Sequence, residues 1–358
     1  MDARTTWPAL LSALIRGDSL TADESEWAMN EIMEGAATPS QIAGFGVALR
    51  IKGASVAEMT GLARSMLAHA TPITVPITGP GQLTDLVGTG GDQAHTVNIS
   101  TMGTIVAAAA GARMIKHGNR AASSACGAAD VLEALGVVIN LPPAASAELA
   151  AEVGVAFLFA PLYHPALRYA GPTRSELGVP TVFNFLGPVA NPARPTAQAV
   201  GVFDPRMGEI LAGVLAGRGC SALVFRGQDG LDELTTTGPS TLWVVHDRQV
   251  AQTEFTPSSL GLPQASVADL RGGDAAHNAA VTRAVLAGER GPVRDIVLLN
   301  AAAALAVTAG VAGPEAVVPA LADGYARAAE AVDSGAASAL LDRWIEASRR
   351  LAPPLPTR

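Results

Sequence analysis

Two short loops of this 358-residue chain concentrate groups that bind phosphate. The first, Gly88-Thr89-Gly90-Gly91-Asp92, places three glycines in four positions directly after the apolar run 83–87. Glycines let backbone N–H groups approach an anion with no side chain in the way. The spacing is not the dinucleotide fingerprint, because the third glycine of G-x-G-x-x-G would fall on Gln93, and no G-x-x-x-x-G-K-[ST] loop occurs. The second loop, Lys116-His117-Gly118-Asn119-Arg120, follows the apolar run 112–115 and is trailed by Ser123, Ser124 and Gly127. Two cations, an amide and two hydroxyls at a strand's exit suit a phosphate-bearing ligand. Between the loops lies Asn98-Ile99-Ser100-Thr101, just before the apolar run 105–111. Capping side chains, free N–H groups and the positive end of a helix dipole make such a segment attractive to anions, although it also reads as an ordinary helix cap.

A third constellation is Asp229-Gly230-Leu231-Asp232-Glu233, after the apolar run 223–225. By spacing alone it reads as a surface turn. Beside a phosphate site it reads as a Mg²⁺ site, because that ion bridges carboxylates and substrate phosphates. The six histidines show no H-E-x-x-H spacing, and no G-x-S-x-G elbow or cysteine–histidine motif is present. Cys126 reads as a small buried residue.

The elements that must position these loops follow from pattern. Runs 83–87, 112–115, 137–139, Val155–Phe159 and 223–225 are short strand candidates, with alanine-rich helical stretches between several of them. Such alternation predicts parallel strands with helical crossovers, and ligands in such sheets bind beyond the carboxyl ends of the strands. The first seventy residues read as helices only. Trp7, Leu10, Leu11, Leu14 and Ile15 recur at helical spacing, and Thr21 with Glu24, Thr38 with Gln41 and Ser55 with Glu58 each fit a capping box. Residues 71–81, with Pro72, Pro76 and Pro80, read as a linker. Residues 128–136 read as a helix ended by Gly136. The expected class is α/β: a small all-helical domain over residues 1–78, and a larger α/β domain with a mostly parallel central sheet over residues 79–358.

Composition sets bounds. Hydrophobic content of 49% with 16% charged residues predicts a compact globular protein. The apolar stretch 296–313, broken by Asn300 and Thr308, reads as a buried core helix and not a membrane span. The N-terminus has no signal-peptide pattern, and two cysteines make neither a disulfide framework nor a metal knuckle, so a reducing cytoplasm is expected. A net charge of −8 argues against a nucleic-acid binder, yet leaves room for a local basic pocket.

The motifs GTGGD (88–92), NIST (98–101), KHGNRAASS (116–124), VFNFLGPVANP (182–192) and DGLDE (229–233), in this order, resemble the anthranilate phosphoribosyltransferase family nearly end to end. The resemblance implies transfer of a phosphoribosyl group from phosphoribosyl pyrophosphate to anthranilate, by a cytoplasmic homodimer that uses Mg²⁺, two ions per subunit. It implies a helical domain, joined by part of 165–195, that forms one wall of the cleft. It implies that Gly88, Gly91, Asp92, Thr96, Asn98, Ser100, Thr101, Lys116, Asn119, Ser123, Ser124 and Ala128 hold the sugar diphosphate. Ser100, Asp232 and Glu233 would hold the metal. Gly88, Asn119, Arg174, His117 and His164 would meet anthranilate, with no covalent catalyst. By spacing alone Arg174 reads as a surface arginine. Many family members carry serines where this chain has Cys126 and Ala128, so altered phosphate affinity is expected there. Two other readings share parts of the pattern. One is a pyrimidine nucleoside phosphorylase, a family that looks longer and lacks the KHGNR string. The other is a non-catalytic paralogue that binds nucleic acid, which should show a basic surface and degraded metal motifs.

Overall fold

The computed structural model describes residues 5–76, 82–121 and 125–353. The chain opens with four helices, α1 (Trp7–Arg16), α2 (Ala22–Met33), α3 (Pro39–Lys52) and α4 (Val56–Ala68). The three predicted capping boxes form at the starts of α2, α3 and α4. Each such cap stabilises its helix by roughly 1 kcal/mol. Glu58 does more than cap. It is fully buried, and its carboxylate accepts the N–H groups of Leu20 and Ser55 and the Lys52 ammonium at 2.7–2.9 Å. Ile15, the last residue of the predicted apolar stripe on α1, stays 79% exposed while Trp7, Leu10 and Leu14 are buried.

The remaining elements are β1 (Leu83–Gly88), α5 (Ile99–Ala109), β2 (Arg113–Gly118), α6 (Ala128–Leu135), α7 (Pro143–Val153), β3 (Val155–Phe159), α8 (Ala160–Tyr163), α9 (Gly171–Leu177), β4 (Ala197–Gly201), α10 (Pro205–Arg218), β5 (Ser221–Gly227), β6 (Ser240–His246), β7 (Gln249–Phe255), α11 (Ala275–Leu286), α12 (Pro292–Ala309), α13 (Val317–Asp333) and α14 (Ala336–Arg350). Seven strands form one sheet in the order β3-β2-β1-β4-β5-β6-β7. The first five are parallel, and β6 and β7 continue antiparallel as a hairpin. The fold class is therefore the one expected, a helical bundle beside an α/β unit with a mostly parallel sheet.

Three differences from the sequence reading are physical. Residues 137–139 are not a strand. Their side chains alternate in burial as a strand's would, but the Val138 N–H is taken by the Ser348 hydroxyl of α14 and not by a neighbouring strand. Lys116 and His117 do not follow β2 but belong to it, because pairing with β3 continues to Gly118. Strands β4, β6 and β7 escaped the reading. The small residues of β4 (Ala-Gln-Ala-Val-Gly) lack β-branched density, and they are held by pairing on both sides. Residues 71–76 run without regular structure, tied by Thr71 to the Tyr163 and Leu162 carbonyls, and the expected boundary at 78/79 lies outside the described residues.

The sheet has two differently covered faces. Leu86 of β1, with Leu223 and Phe225 of β5, packs into a core shared with α5, α12, α13 and α14. Val87, Val200 and Val224 point the other way, into a core shared with α10, the N-terminal helices and Val182, Phe183 and Phe185. Strand alternation thus joins the bundle to the sheet. Helix α12 is the one helix among the described residues long and apolar enough to cross a membrane, and it is buried here against α5 and α13.

Asp85 sits fully buried in β1, bound by the Asn191 amide at 2.9 Å, and that amide also donates to the Ile115 carbonyl of β2. Burial, against the opposing pull of Lys116, pushes the Asp85 carboxyl up to about 6. An acid whose folded pKa is raised keeps its proton longer in the fold than in the unfolded chain, so stability falls as pH rises from about 4 to about 6. Asp85→Asn should remove that slope, on the order of 3 kcal/mol across the window. Denaturant melts at pH 4 and pH 7 measure it, and equal slopes in both proteins would contradict the buried titration.

Candidate active site

Strand β1 has β2 on one side and β4 on the other, so the crevice beyond its carboxyl end is a topological switch point. The loop 88–92 lies there. Gly90 and Gly91 take φ of 66° and 94°, and beyond them Gln93 and His95 also adopt left-handed backbone, at 58° and 52°. For non-glycine residues this is a costly conformation that clusters at ligand sites. The loop is tied to the end of β4, because the Thr89 N–H donates to the Gly201 carbonyl at 3.0 Å and the Phe203 N–H donates to the Thr89 hydroxyl at 3.3 Å.

Asp232 and Glu233 arrive from the turn after β5. Asp229, earlier in the motif, knots that turn by accepting from the Leu231 N–H at 3.1 Å and the Thr235 hydroxyl at 2.6 Å. Asp232 then accepts the Gly90 N–H at 2.7 Å, and Glu233 accepts the Ser100 N–H at 3.2 Å. These contacts need glycine. A Cβ on Gly88 would lie 2.2 Å from the Asp232 carboxylate, and one on Gly201 would lie 1.6 Å from its carbonyl oxygen. Buried Asn300 on α12 clamps the following residue, accepting the Leu234 N–H at 3.0 Å and donating to its carbonyl at 2.9 Å. Sequence reasoning saw Asn300 only as an interruption of an apolar run. An amide at the centre of a core helix was the available signal.

The electrostatics are lopsided. Asp232 and Glu233 are only 9% and 8% exposed. Burial, then the charge of Asp92, pushes Asp232 up to about 7. Burial and the neighbouring Asp232 raise Glu233 well above the usual carboxylate range. The buried Lys116 ammonium donates to the Leu86 carbonyl and to the Ser100 hydroxyl at 3.2 Å. Burial lowers its pKa, while Asp85, Glu233 and Asp232 pull the other way. Three carboxylates thus face one buried cation, a deficit of positive charge. Among the described residues no three His, Cys, Asp or Glu side chains form a closed metal cage. Two carboxylates beside a hydroxyl fit Mg²⁺, which keeps waters and substrate phosphate oxygens in its shell.

The other predicted residues fall as follows. Asn98 precedes α5 without capping it by its side chain, and Thr101 inside α5 carries a buried hydroxyl with no hydrogen-bond partner among the described residues. Thr96 forms a backbone bridge to Arg271. Asn119 is exposed, and Ala128 opens α6 beside Gly118. Ser123 and Ser124 lie outside the described residues. Arg120, counted among the cations of its loop, is instead engaged by Asp130, at 3.0 Å, and by Glu133, both on α6. His117 and His164 meet edge to face with centroids 5.1 Å apart. His117 Nδ1 faces the Gly187 carbonyl and His164 Nε2 the Ala190 carbonyl, so each of these nitrogens donates. Burial holds His117 down to about 3 and His164 down to about 4, so both stay neutral and each keeps one lone-pair nitrogen. Arg174 on α9 is half-buried with its guanidinium 5.9 Å from the Phe183 ring centroid. Burial lowers its pKa, and among the described residues no carboxylate pairs with it. A surface cleft of about 390 Å³ between α11 and the start of α12 includes none of these residues. Chemistry, not volume, marks the site.

Comparison with known proteins gives the family. Residues 80–338 match the model for the α/β domain of a glycosyl transferase family, and residues 8–70 match the helical bundle domain of the same family. An anthranilate phosphoribosyltransferase of Thermobifida fusca is 62% identical over 97% of this chain and 98% of its own length. That of a Nocardioides species is 58% identical over 97% and 100%. Among solved structures, the anthranilate phosphoribosyltransferase of Thermus thermophilus superposes with a TM-score of 0.87 at 40% identity, over 95% of this chain and 99% of the other. The Saccharomyces cerevisiae enzyme, solved in complex with PRPP and Mg, gives 0.85 at 25% identity, over 97% and 99%. The chain belongs to the anthranilate phosphoribosyltransferase family.

Proposed function

We propose that this chain transfers the phosphoribosyl group of phosphoribosyl pyrophosphate to the amino group of anthranilate, giving N-(5-phosphoribosyl)anthranilate and pyrophosphate. The observation that carries the reading is the buried pair Asp232 and Glu233, held against the N–H groups of Gly90 and Ser100 at a switch point. Left alone, such a pair costs stability. It makes sense as a receiver for a cation carried with a diphosphate.

Residues Gly88, Gly91, Asp92, Thr96, Asn98, Ser100, Thr101, Lys116, Asn119 and Ala128 surround the sugar diphosphate in this reading, with Ser123 and Ser124. The unpartnered Thr101 hydroxyl supports that placement. Ser100, Asp232 and Glu233 would hold Mg²⁺, two ions per subunit, which would supply positive charge against that developing on pyrophosphate. The amine lone pair of anthranilate forms the new bond to the ribose C1, the bond from C1 to the pyrophosphate oxygen breaks, and its electron pair leaves with pyrophosphate. The amine then loses one proton. Aromatic amines are unprotonated near neutrality, so this chain's task is to position the partners. Arg174, with no carboxylate partner among the described residues, holds the anthranilate carboxylate through a bidentate pair. Gly88 and Asn119 flank the acceptor, and neutral His117 and His164 line its approach without repelling the amine.

The helical segment 1–78, joined by part of 165–195, forms one wall of the cleft and the dimer contact. Ile15 and Ile51, exposed on helices of that segment, are apolar surface suited to a second copy. We place the enzyme in the cytoplasm and assign it no nucleic-acid or membrane partner, in keeping with its acidic balance and reduced cysteines.

Loss of anthranilate fluorescence in the presence of phosphoribosyl pyrophosphate and Mg²⁺ tests the reading. Phosphorolysis of thymidine with no use of anthranilate would replace it with the nucleoside phosphorylase reading. Arg174→Ala should raise the KM for anthranilate roughly 10- to 100-fold, the equivalent of about 1.5–3 kcal/mol for a charge-assisted hydrogen bond. The KM for phosphoribosyl pyrophosphate should move little, and equal losses for both substrates would show the assignment to be wrong. Asp232→Ala combined with Glu233→Ala should abolish Mg²⁺-dependent turnover while the circular dichroism spectrum is retained. Retained activity in that variant would rule out the metal role.

A further inference from the structure

Asn278, on α11 and far along the chain from every motif, is 1% exposed and stands at the centre of a line of amides. The Gly273 N–H donates to Asn278 Oδ1 at 2.8 Å, Asn278 Nδ2 donates to Asn98 Oδ1 at 2.8 Å, and Asn98 Nδ2 donates to the Cys126 carbonyl at 3.0 Å. The line has one possible direction. A backbone N–H is only a donor, so it fixes Oδ1 of Asn278 toward Gly273 and the NH₂ group toward Asn98. Asn98 must then present its oxygen to Asn278 and its NH₂ to Cys126, whose carbonyl is only an acceptor. Both ends being unambiguous, neither side-chain amide is free to flip.

The ends of this line bear on the binding site. Asn98 adjoins Ile99, the first residue of α5, and its side-chain oxygen accepts from Asn278 instead of capping the helix, so the Ser100 N–H is left to Glu233. At the far end, Cys126 leads into Gly127 and the first turn of α6. There the Gly127 N–H donates to Asp130 at 2.9 Å and the Ala129 N–H donates to the Asn119 carbonyl at 3.2 Å. The relay therefore ties together the two helix starts that flank the proposed diphosphate site.

We infer that Asn278 is a positioning residue for phosphoribosyl pyrophosphate, setting Asn98 and, through it, the Cys126–Ala128 entry to α6. This inference rests on the proposed function for its ligand, though not for its geometry. An aspartate at 278 would still accept from Gly273 but would turn a second acceptor toward Asn98. Asn98 would have to flip, and its oxygen would then oppose the Cys126 carbonyl.

Steady-state kinetics on the full-length wild-type, Asn278→Asp and Asn278→Ala proteins, with hydrogen exchange at Ile99–Thr101 and Cys126–Ala129, test this. Asn278→Asp should raise the KM for phosphoribosyl pyrophosphate at least tenfold and Asn278→Ala about threefold. In both variants kcat and the KM for anthranilate should stay within a factor of two, and exchange should quicken at both segments. Proportional losses in all three kinetic constants, or an unchanged KM for phosphoribosyl pyrophosphate in a folded variant, would overturn the inference. Collapse of both variants would make Asn278 a stability residue of the core and overturn it as well. A wild-type protein that turns over no anthranilate would count against the proposed function, and the exchange comparison would still decide the relay.

Discussion

The structure is organised around two carboxylates placed where carboxylates are costly. Asp232 and Glu233 are buried beside each other and beside Asp92, with backbone N–H groups and a single lysine for compensation. Removing an ion from water costs several kcal/mol even after relaxation, and a like-charged neighbour adds to that. Much of the surrounding chain serves to hold them there. Gly88 and Gly201 have no room for a Cβ, Asn300 clamps the backbone just beyond, and Thr89 fastens the glycine loop to β4. A site of this kind is stable as part of a complex that brings its own positive charge.

The same constraint explains how a chain of net charge −8 receives a highly anionic substrate. In the proposed reading, attraction comes from local donors and not from overall charge: the left-handed glycine loop, the start of α5 and the buried Lys116. Arg120, by contrast, is engaged by Asp130 and Glu133, and its role is to brace α6. The acceptor side follows the opposite logic. In the proposed reading, two neutral imidazoles and the half-buried Arg174 guanidinium, which pairs with no carboxylate among the described residues, receive a flat molecule with one carboxylate.

These parts are held in register by a sheet that belongs to two cores. Adjacent residues of β1, Leu86 and Val87, point to opposite faces. Leu86 packs with α5 and α12, the helices that supply Ser100 and Asn300. Val87 packs in the core that contains the N-terminal helices and Phe185. Phe185 stacks on Phe203 with centroids 5.1 Å apart, and the Arg50 guanidinium of α3 lies over its ring while pairing with Asp204 at the start of α10. The helical bundle therefore meets the glycine loop's own support, and its position bears directly on the site.

Local chemistry was legible from the sequence alone. The three capping boxes, the glycine loop after β1, the helix start at Asn98 and the paired carboxylates after β5 each depend on residues within a few positions of one another, where side-chain type and spacing set the outcome. The family, too, was legible, because its motifs are short and contiguous. What depended on partners distant along the chain was not. Strand β4 is a strand because β1 and β5 flank it, residues 137–139 are not one because Ser348 takes the Val138 N–H, and Arg120 pairs with α6 because two carboxylates there face it. Asn278 carries no local signature, and Asn300 shows only as an amide interrupting an apolar run. Their amides acquire meaning only when the fold brings α11 beside Asn98 and α12 beside Leu234, since a hydrogen bond reads distance in space and not separation along the chain.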